Sequence, residues 1–288
     1  MNKSVALILI AAFVTEISCV FWDDLRVKFG QRPSDQHFVR QPRLLRDALA
    51  QGWTSVSTTC ENDGKFSGFR YKLNDDAIYL LFDKNGVIAG IQALMPHEEI
   101  IHPAYGFRYD LETMFQNETV GGKPNIVLTA YMVDPASICT TGRTESDLLL
   151  RGTGTGLWFQ NGPTSRYLKS VSNYRSRASS EGWSNCECFP GMGLHNFWKV
   201  EEWQQTNCRE ILPAQILFTL DGEMLGFVFQ VFSTTSSPRF ERPQTARIYA
   251  IIGRSRTPPC IQEVNDAFGT TSLHIFLIDK PWEITCNA

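Results

Sequence analysis

The chain has 288 residues with a formal net charge of −3, 43% of them hydrophobic and 20% charged. That composition is globular rather than disordered, and the near-neutral charge offers neither a basic field for nucleic acid nor a polybasic patch for a membrane surface. The partners to expect are a small molecule or a glycan, with no nucleic acid and no membrane insertion.

The opening stretch "MNKSVALILIAAFVTEISC" places Lys3 before an apolar run from Val5 to Val14 and a more polar stretch ending at Cys19. This is the layout of a secretory signal, and the run is too short to span a bilayer. Residues 1–19 are therefore read as a signal peptide, and the mature protein as secreted and extracellular. In that compartment the eight cysteines read first as disulfides and only second as metal thiolates.

Residues 20–51 hold the one clear helix. In "RQPRLLRDALAQGW" the side chains of Leu44, Leu45, Ala48 and Leu49 form an amphipathic stripe that Gly52 ends. Nearly everything after it alternates or runs apolar in strand-length pieces. The expected fold is a β-rich α+β protein with few helices.

From residue 52 onward the chain repeats itself. "YLLFDKNGVIAGI" at 79–91 is answered by "ILFTLDGEMLGFV" at 216–228; superposing Asn85-Gly86 on Asp221-Gly222 brings Leu81-Phe82 onto Leu217-Phe218 and Gly90 onto Gly226. Asn-Gly and Asp-Gly between β-rich flanks predict hairpins closed by type I′ turns, with positive φ at both central residues. Upstream, Gly52-Trp53, Cys60 and Phe69 recur as Gly182-Trp183, Cys188 and Phe197, with nine residues from cysteine to phenylalanine each time. Downstream, "NIVLTAYMVDPASIC" at 125–139 is answered by "SLHIFLIDKPWEITC" at 272–286. Four landmarks in one order point to an internal duplication. Two similar antiparallel β units, 52–139 and 182–288, would be joined by a loop-rich connector at 140–181.

A bridge inherited by both units would join Cys60 to Cys139 and Cys188 to Cys286. Over loops this long each contributes about 4 kcal/mol in the chain-entropy account. Cys208 and Cys260, in parts of the second unit that the first lacks, form the third expected pair and leave Cys186 over. Asn117 opens an Asn-Glu-Thr glycosylation sequon. In the connector, 148–150 and 157–159 are candidate short strands. "GTGTG" at 152–156 runs into Leu157-Trp158-Phe159 rather than a helix carrying Lys and Ser or Thr, so these read as turn glycines and not as a phosphate loop.

Chemistry rests on few residues. "PHEEIIHP" resembles a zincin signature only superficially, because His97 and His102 are five apart and would diverge by about 140° on a helix. On a strand they would face opposite sides. Neither has a counterpart in the other unit, and His195 in "CFPGMGLHNFW" falls on Ser67. Where a duplicated fold breaks its symmetry, one unit has room for a site. His97, His102 and His195 are therefore the candidate ligands of a zinc or copper ion, with Glu98 or Glu99 as an orienting carboxylate. His195, Trp158 and Trp198 are the candidate ligand-binding side chains. No Gly-x-Ser-x-Gly elbow occurs. The function expected is a disulfide-stabilised binding or interaction module for a small ligand or carbohydrate. The alternatives are an extracellular metal-dependent oxidoreductase or hydrolase using the histidines, or a structural matrix component.

Overall fold

The computed structural model describes residues 21–30, 32–61, 64–101, 112–206 and 211–287. Residues 1–19, read above as a signal peptide, lie outside the described residues, as do His102 and Cys208. The first strands are β1 (Arg26–Lys28) and β2 (Phe38–Arg40), followed by α1 (Leu45–Ala50) and then β3 (Thr54–Ser55), β4 (Phe69–Lys72), β5 (Ile78–Phe82) and β6 (Ile88–Pro96). After α2 (His97–Ile100) come β7 (Gln116–Val120), β8 (Lys123–Tyr131), α3 (Pro135–Ile138) and α4 (Glu145–Arg151). The chain continues with β9 (Leu157–Gln160), β10 (Leu168–Val171), α5 (Arg175–Ser180), β11 (Trp183–Phe189), β12 (Gly193–Trp198) and α6 (Trp203–Thr206). It closes with β13 (Ala214–Phe218), β14 (Met224–Val231), α7 (Thr245–Ile252), α8 (Pro259–Phe268) and β15 (Thr271–Phe276).

The molecule is β-rich, with two antiparallel sheets and short helices. The first sheet runs β10-β9-β8-β6-β5-β4-β3, with β7 also paired to β8; the second runs β11-β12-β13-β14-β15-β1-β2. Each sheet is thus a meander finished by a hairpin. The hairpin β1–β2 precedes the first meander in sequence but lies beside β15 of the second, and β9–β10 precedes the second meander but lies beside β8 of the first. One apolar core fills the space between the sheets, taking Leu80, Ile91 and Leu128 from the first and Ile216, Phe227 and Ile275 from the second. Phe159 on β9 packs edge-on against Phe227 and Phe229 at 5.6 and 5.9 Å. Each such buried aromatic contributes about 2–3 kcal/mol.

The repeated dipeptides do close hairpins, β5–β6 and β13–β14, but not through type I′ turns. Gly86 and Gly222 take positive φ of 79° and 88°, whereas Asn85 and Asp221 do not. Gly86 N donates to Asp83 O and Asp83 N to Val87 O, and Gly222 and Thr219 make the same pair of bonds. The loop is the three-residue kind in which only the last residue is left-handed. The extra residue shifts the ladder register at Leu81/Phe82 and Leu217/Phe218. Further along, Gly90 and Gly226 let the next strand approach: a Cβ on Gly226 would lie 2.3 Å from the carbonyl oxygen of Ile275.

Disulfides join Cys60 to Cys139 and Cys188 to Cys286, which belongs to an oxidising environment. Cys260 is also disulfide-bonded, and Cys186 is a buried free thiol. The helix in the 20–51 segment is confined to Leu45–Ala50; Ala48 is buried, Leu44 and Leu45 pack partly on the core, and Leu49 is 54% exposed. The connector 140–181 carries α4, the β9–β10 hairpin and α5. Leu148–Leu150 belong to α4 rather than to a strand, because Thr144 and Asp147 form a capping box that starts a helix there. No helix among the described residues is long and apolar enough to cross a membrane.

Candidate functional site

The outward face of the first sheet is closed over on itself. Glu118 on β7 and Arg70 on β4 stand four strands apart in the order β4-β5-β6-β8-β7, about 19 Å if the sheet were flat. They nevertheless form a bidentate ion pair at 2.7 and 2.8 Å, so the sheet curls until β7 folds back over β4. The guanidinium of Arg70 also stacks on Phe66, 3.8 Å from the ring centre.

Inside this curl lies a groove of about 410 Å³, lined by Lys65, Gln92, Glu112, Phe115, Asn117 and Thr129 among others. Gln92 and Thr129 lie on the paired strands β6 and β8, are both 1% exposed and form its floor. Gln92 Nε2 donates to Thr129 Oγ1 at 2.9 Å, while Gln92 Oε1 has no hydrogen-bond partner among the described residues. The rim is tied down. Tyr131 donates its hydroxyl proton to Gln160 Oε1 at 2.9 Å, and Gln160 Nε2 donates to the carbonyls of Lys65 and Gly162 at 2.8 and 3.1 Å. A preformed concave site with a few fixed polar groups and an aromatic wall is the ordinary form of a small-ligand site.

The second sheet carries a polar cluster at the matching place. Arg70 stands opposite Leu81 and His195 opposite Leu217, so the ladders align His195 with Arg70. The alignment of His195 with Ser67 is three residues out, because Cys60 lies in a loop before β4 whereas Cys188 lies within β11, beside a bulge. Likewise Thr129 stands opposite Gln92 and His274 opposite Val228. Lys28 on β1 is the other neighbour of His274. Glu241 accepts from Lys28 Nζ at 2.7 Å, and its Oε1 lies 2.7 Å from His274 Nδ1 without an aligned hydrogen bond.

This cluster is roofed by Ile248, Ile251 and Ile252 of α7, leaving a cavity of about 40 Å³ that His195, His274 and Met192 help to line. No ring nitrogen of His195 or His274 makes an aligned hydrogen bond among the described residues, although the backbone of Gly193 and Glu187 lies close enough to His195 to favour its charged form; the ring centres are 5.8 Å apart. Burial, with a smaller push from His274, drives the pKa of His195 down to about 3, so its imidazole is neutral at physiological pH. Burial lowers the pKa of Lys28 against the pull of Glu241. Burial alone would raise that of Glu241, but His274 and Lys28 outweigh it and hold the carboxyl below its usual range. Ser272 shares the cavity, and among the described residues no hydrogen bond joins it to His274 Nε2.

The other residues singled out from the sequence are dispersed. His97 opens α2 after β6 and is not among the residues lining the His195 cavity. Glu99 accepts from the backbone N–H of Ser236 at 2.9 Å. Trp198 packs edge-on against Trp183, and Lys169 Nζ covers it 3.2 Å from the ring centre. Trp158 packs against the cluster of Leu81, Ala89, Tyr131, Val133 and Ile138, which Cys60 and Cys139 also touch. Asn117 is exposed on the groove rim. Among the described residues no group of three or more His, Cys, Asp or Glu side chains is placed to hold a metal ion. Gln92, Lys28, Glu241 and His274 were missed. The available signal was a polar residue alternating with core side chains in an otherwise apolar strand, as in "LRVKF" and "SLHIFL". No protein-family model, curated protein or solved structure matches the chain.

Proposed function

We propose that the protein is a secreted, disulfide-stabilised binding module that takes a small polyhydroxylated ligand, a carbohydrate, in the groove of the first sheet. The observation that carries this reading is the buried, unpartnered Oε1 of Gln92 on the groove floor. A buried acceptor left without a donor costs about 1–3 kcal/mol, and a ligand hydroxyl entering the groove recovers it. Glu112, Gln116 and Thr129 add further hydrogen-bonding groups, and Phe115 an apolar surface suited to the C–H face of a sugar. Asn117, exposed beside the groove, is the attachment site we assign to a glycan. Secretion is supported by the signal-like first nineteen residues and by the two disulfides.

A saccharide array followed by calorimetric titration tests the groove. Wild-type protein should bind at least one saccharide, and Gln92→Leu should weaken that binding about tenfold or more. Binding unaltered in Gln92→Leu, or no saccharide bound by the wild type, defeats the reading.

We further infer that the two sheets descend from one duplicated unit. Support extends beyond the hairpins: Leu45 N donates to Gly86 O as Arg175 N does to Gly222 O, and Ile88 N to Arg43 O as Met224 N does to Asn173 O. Ala48 and Ala178 are buried in the equivalent helices. On this reading each copy begins with its hairpin, β1–β2 or β9–β10, and lends it to the other copy's sheet.

A further inference from the structure

The cluster under α7 takes no part in the groove of the first sheet, and its open valences have a different chemistry. His195, His274 and Met192 are all buried and line one cavity. Glu241 Oε1 stands 2.7 Å from His274 Nδ1, so the neutral ring keeps its proton on that side and carries its lone pair on Nε2. That nitrogen makes no aligned hydrogen bond among the described residues, nor does either nitrogen of His195, beside which stands the backbone of Gly193 and Glu187. A carboxylate behind a histidine whose other nitrogen is open is the outer shell of a metal-binding imidazole. Two imidazoles each about 2.0 Å from a shared ion have ring centres roughly 5–6.5 Å apart; those of His195 and His274 are 5.8 Å apart.

We propose that Met192, His195 and His274 hold one monovalent copper ion. None of the three side chains brings a negative charge in its metal-binding form, and the charged groups nearby are Lys28, Arg247 and the single carboxylate of Glu241. That balance disfavours a divalent ion more than a monovalent one, because repulsion from net positive surroundings grows with the ion's charge. Imidazole suits copper, and a thioether selects its monovalent state. Ile248 and Ile251 of α7 form an apolar wall, and a shell that excludes water favours the lower-charged oxidation state. The competing occupant is ordered water, for which a polar cavity of this size has room.

The test uses the whole secreted chain carrying Cys186→Ser, since a thiol uncovered in any unfolded fraction would itself take copper. Copper(I) is titrated anaerobically against a chromophoric chelator, and X-ray absorption reports the ligand atoms. One ion per chain is expected, with two nitrogen ligands and one sulfur. Met192→Leu, which conserves core volume, should weaken binding at least tenfold, and His195→Gln at least a hundredfold, each checked for folding by thermal melting. Retention of less than a tenth of an equivalent, or affinity unchanged in Met192→Leu, overturns the proposal and leaves the cavity to water. Should His195→Gln fail to fold, Met192→Leu and the sulfur signal decide.

Discussion

Cys186 sits in β11 two residues before Cys188, yet only Cys188 is bridged, to Cys286. A free thiol so close to a disulfide is a hazard, because exchange proceeds through the thiolate. Burial, against a weaker opposing influence of Arg256, pushes the Cys186 thiol up to about 12. At pH 8 only about one molecule in ten thousand then carries the nucleophilic form. Cys186 should therefore resist iodoacetamide at pH 8 in the native protein and be labelled within minutes in denaturant. Peptide mapping reads the outcome directly, and rapid native labelling contradicts the burial described.

Among the elements, β7 has the most distinctive position. It is an outer strand held on one side by β8 and across the curl by Arg70–Glu118, whose side chains are 3% and 13% exposed. Removing one partner of a buried pair leaves the other charge unsatisfied, at a cost of about 3–5 kcal/mol. Glu118→Ala should lower stability by that order and raise amide exchange in 116–127. The double variant Arg70→Met, Glu118→Leu should recover much of the loss, since no charge is then stranded. A Glu118→Ala protein that melts like the wild type would mean that β7 is held by its ladder alone.

At the scale of the molecule, the shared core and the placement of β1–β2 and β9–β10 bind the sheets into one cooperative unit. Neither sheet is complete without a hairpin from a distant part of the chain. Calorimetry should show one transition whose measured and van't Hoff enthalpies agree. Replacing Cys188 and Cys286 by serine, which opens a loop of 98 residues, should lower that transition by about 4–5 kcal/mol without splitting it. Two separable transitions would show that the sheets unfold as domains.

Local chemistry was written plainly in the residues. Asn85-Gly86 and Asp221-Gly222 mark hairpins because glycine alone takes the left-handed turn position without strain, and Gly90 and Gly226 mark close strand approach. The Cys60–Cys139 and Cys188–Cys286 bridges were legible because each cysteine closes a similar landmark series. Other features depend on residues that meet only after folding. Lys28 reaches Glu241 across 213 positions, Arg70 reaches Glu118 because the sheet curls, and His195 replaces Arg70 because a loop and a bulge offset the ladders by three residues. Periodicity assigns a side chain to a face of its own strand. Which distant strand lies beside it is set by register, twist and the shared core, and on that choice depend both the groove floor at Gln92 and the buried histidine pair.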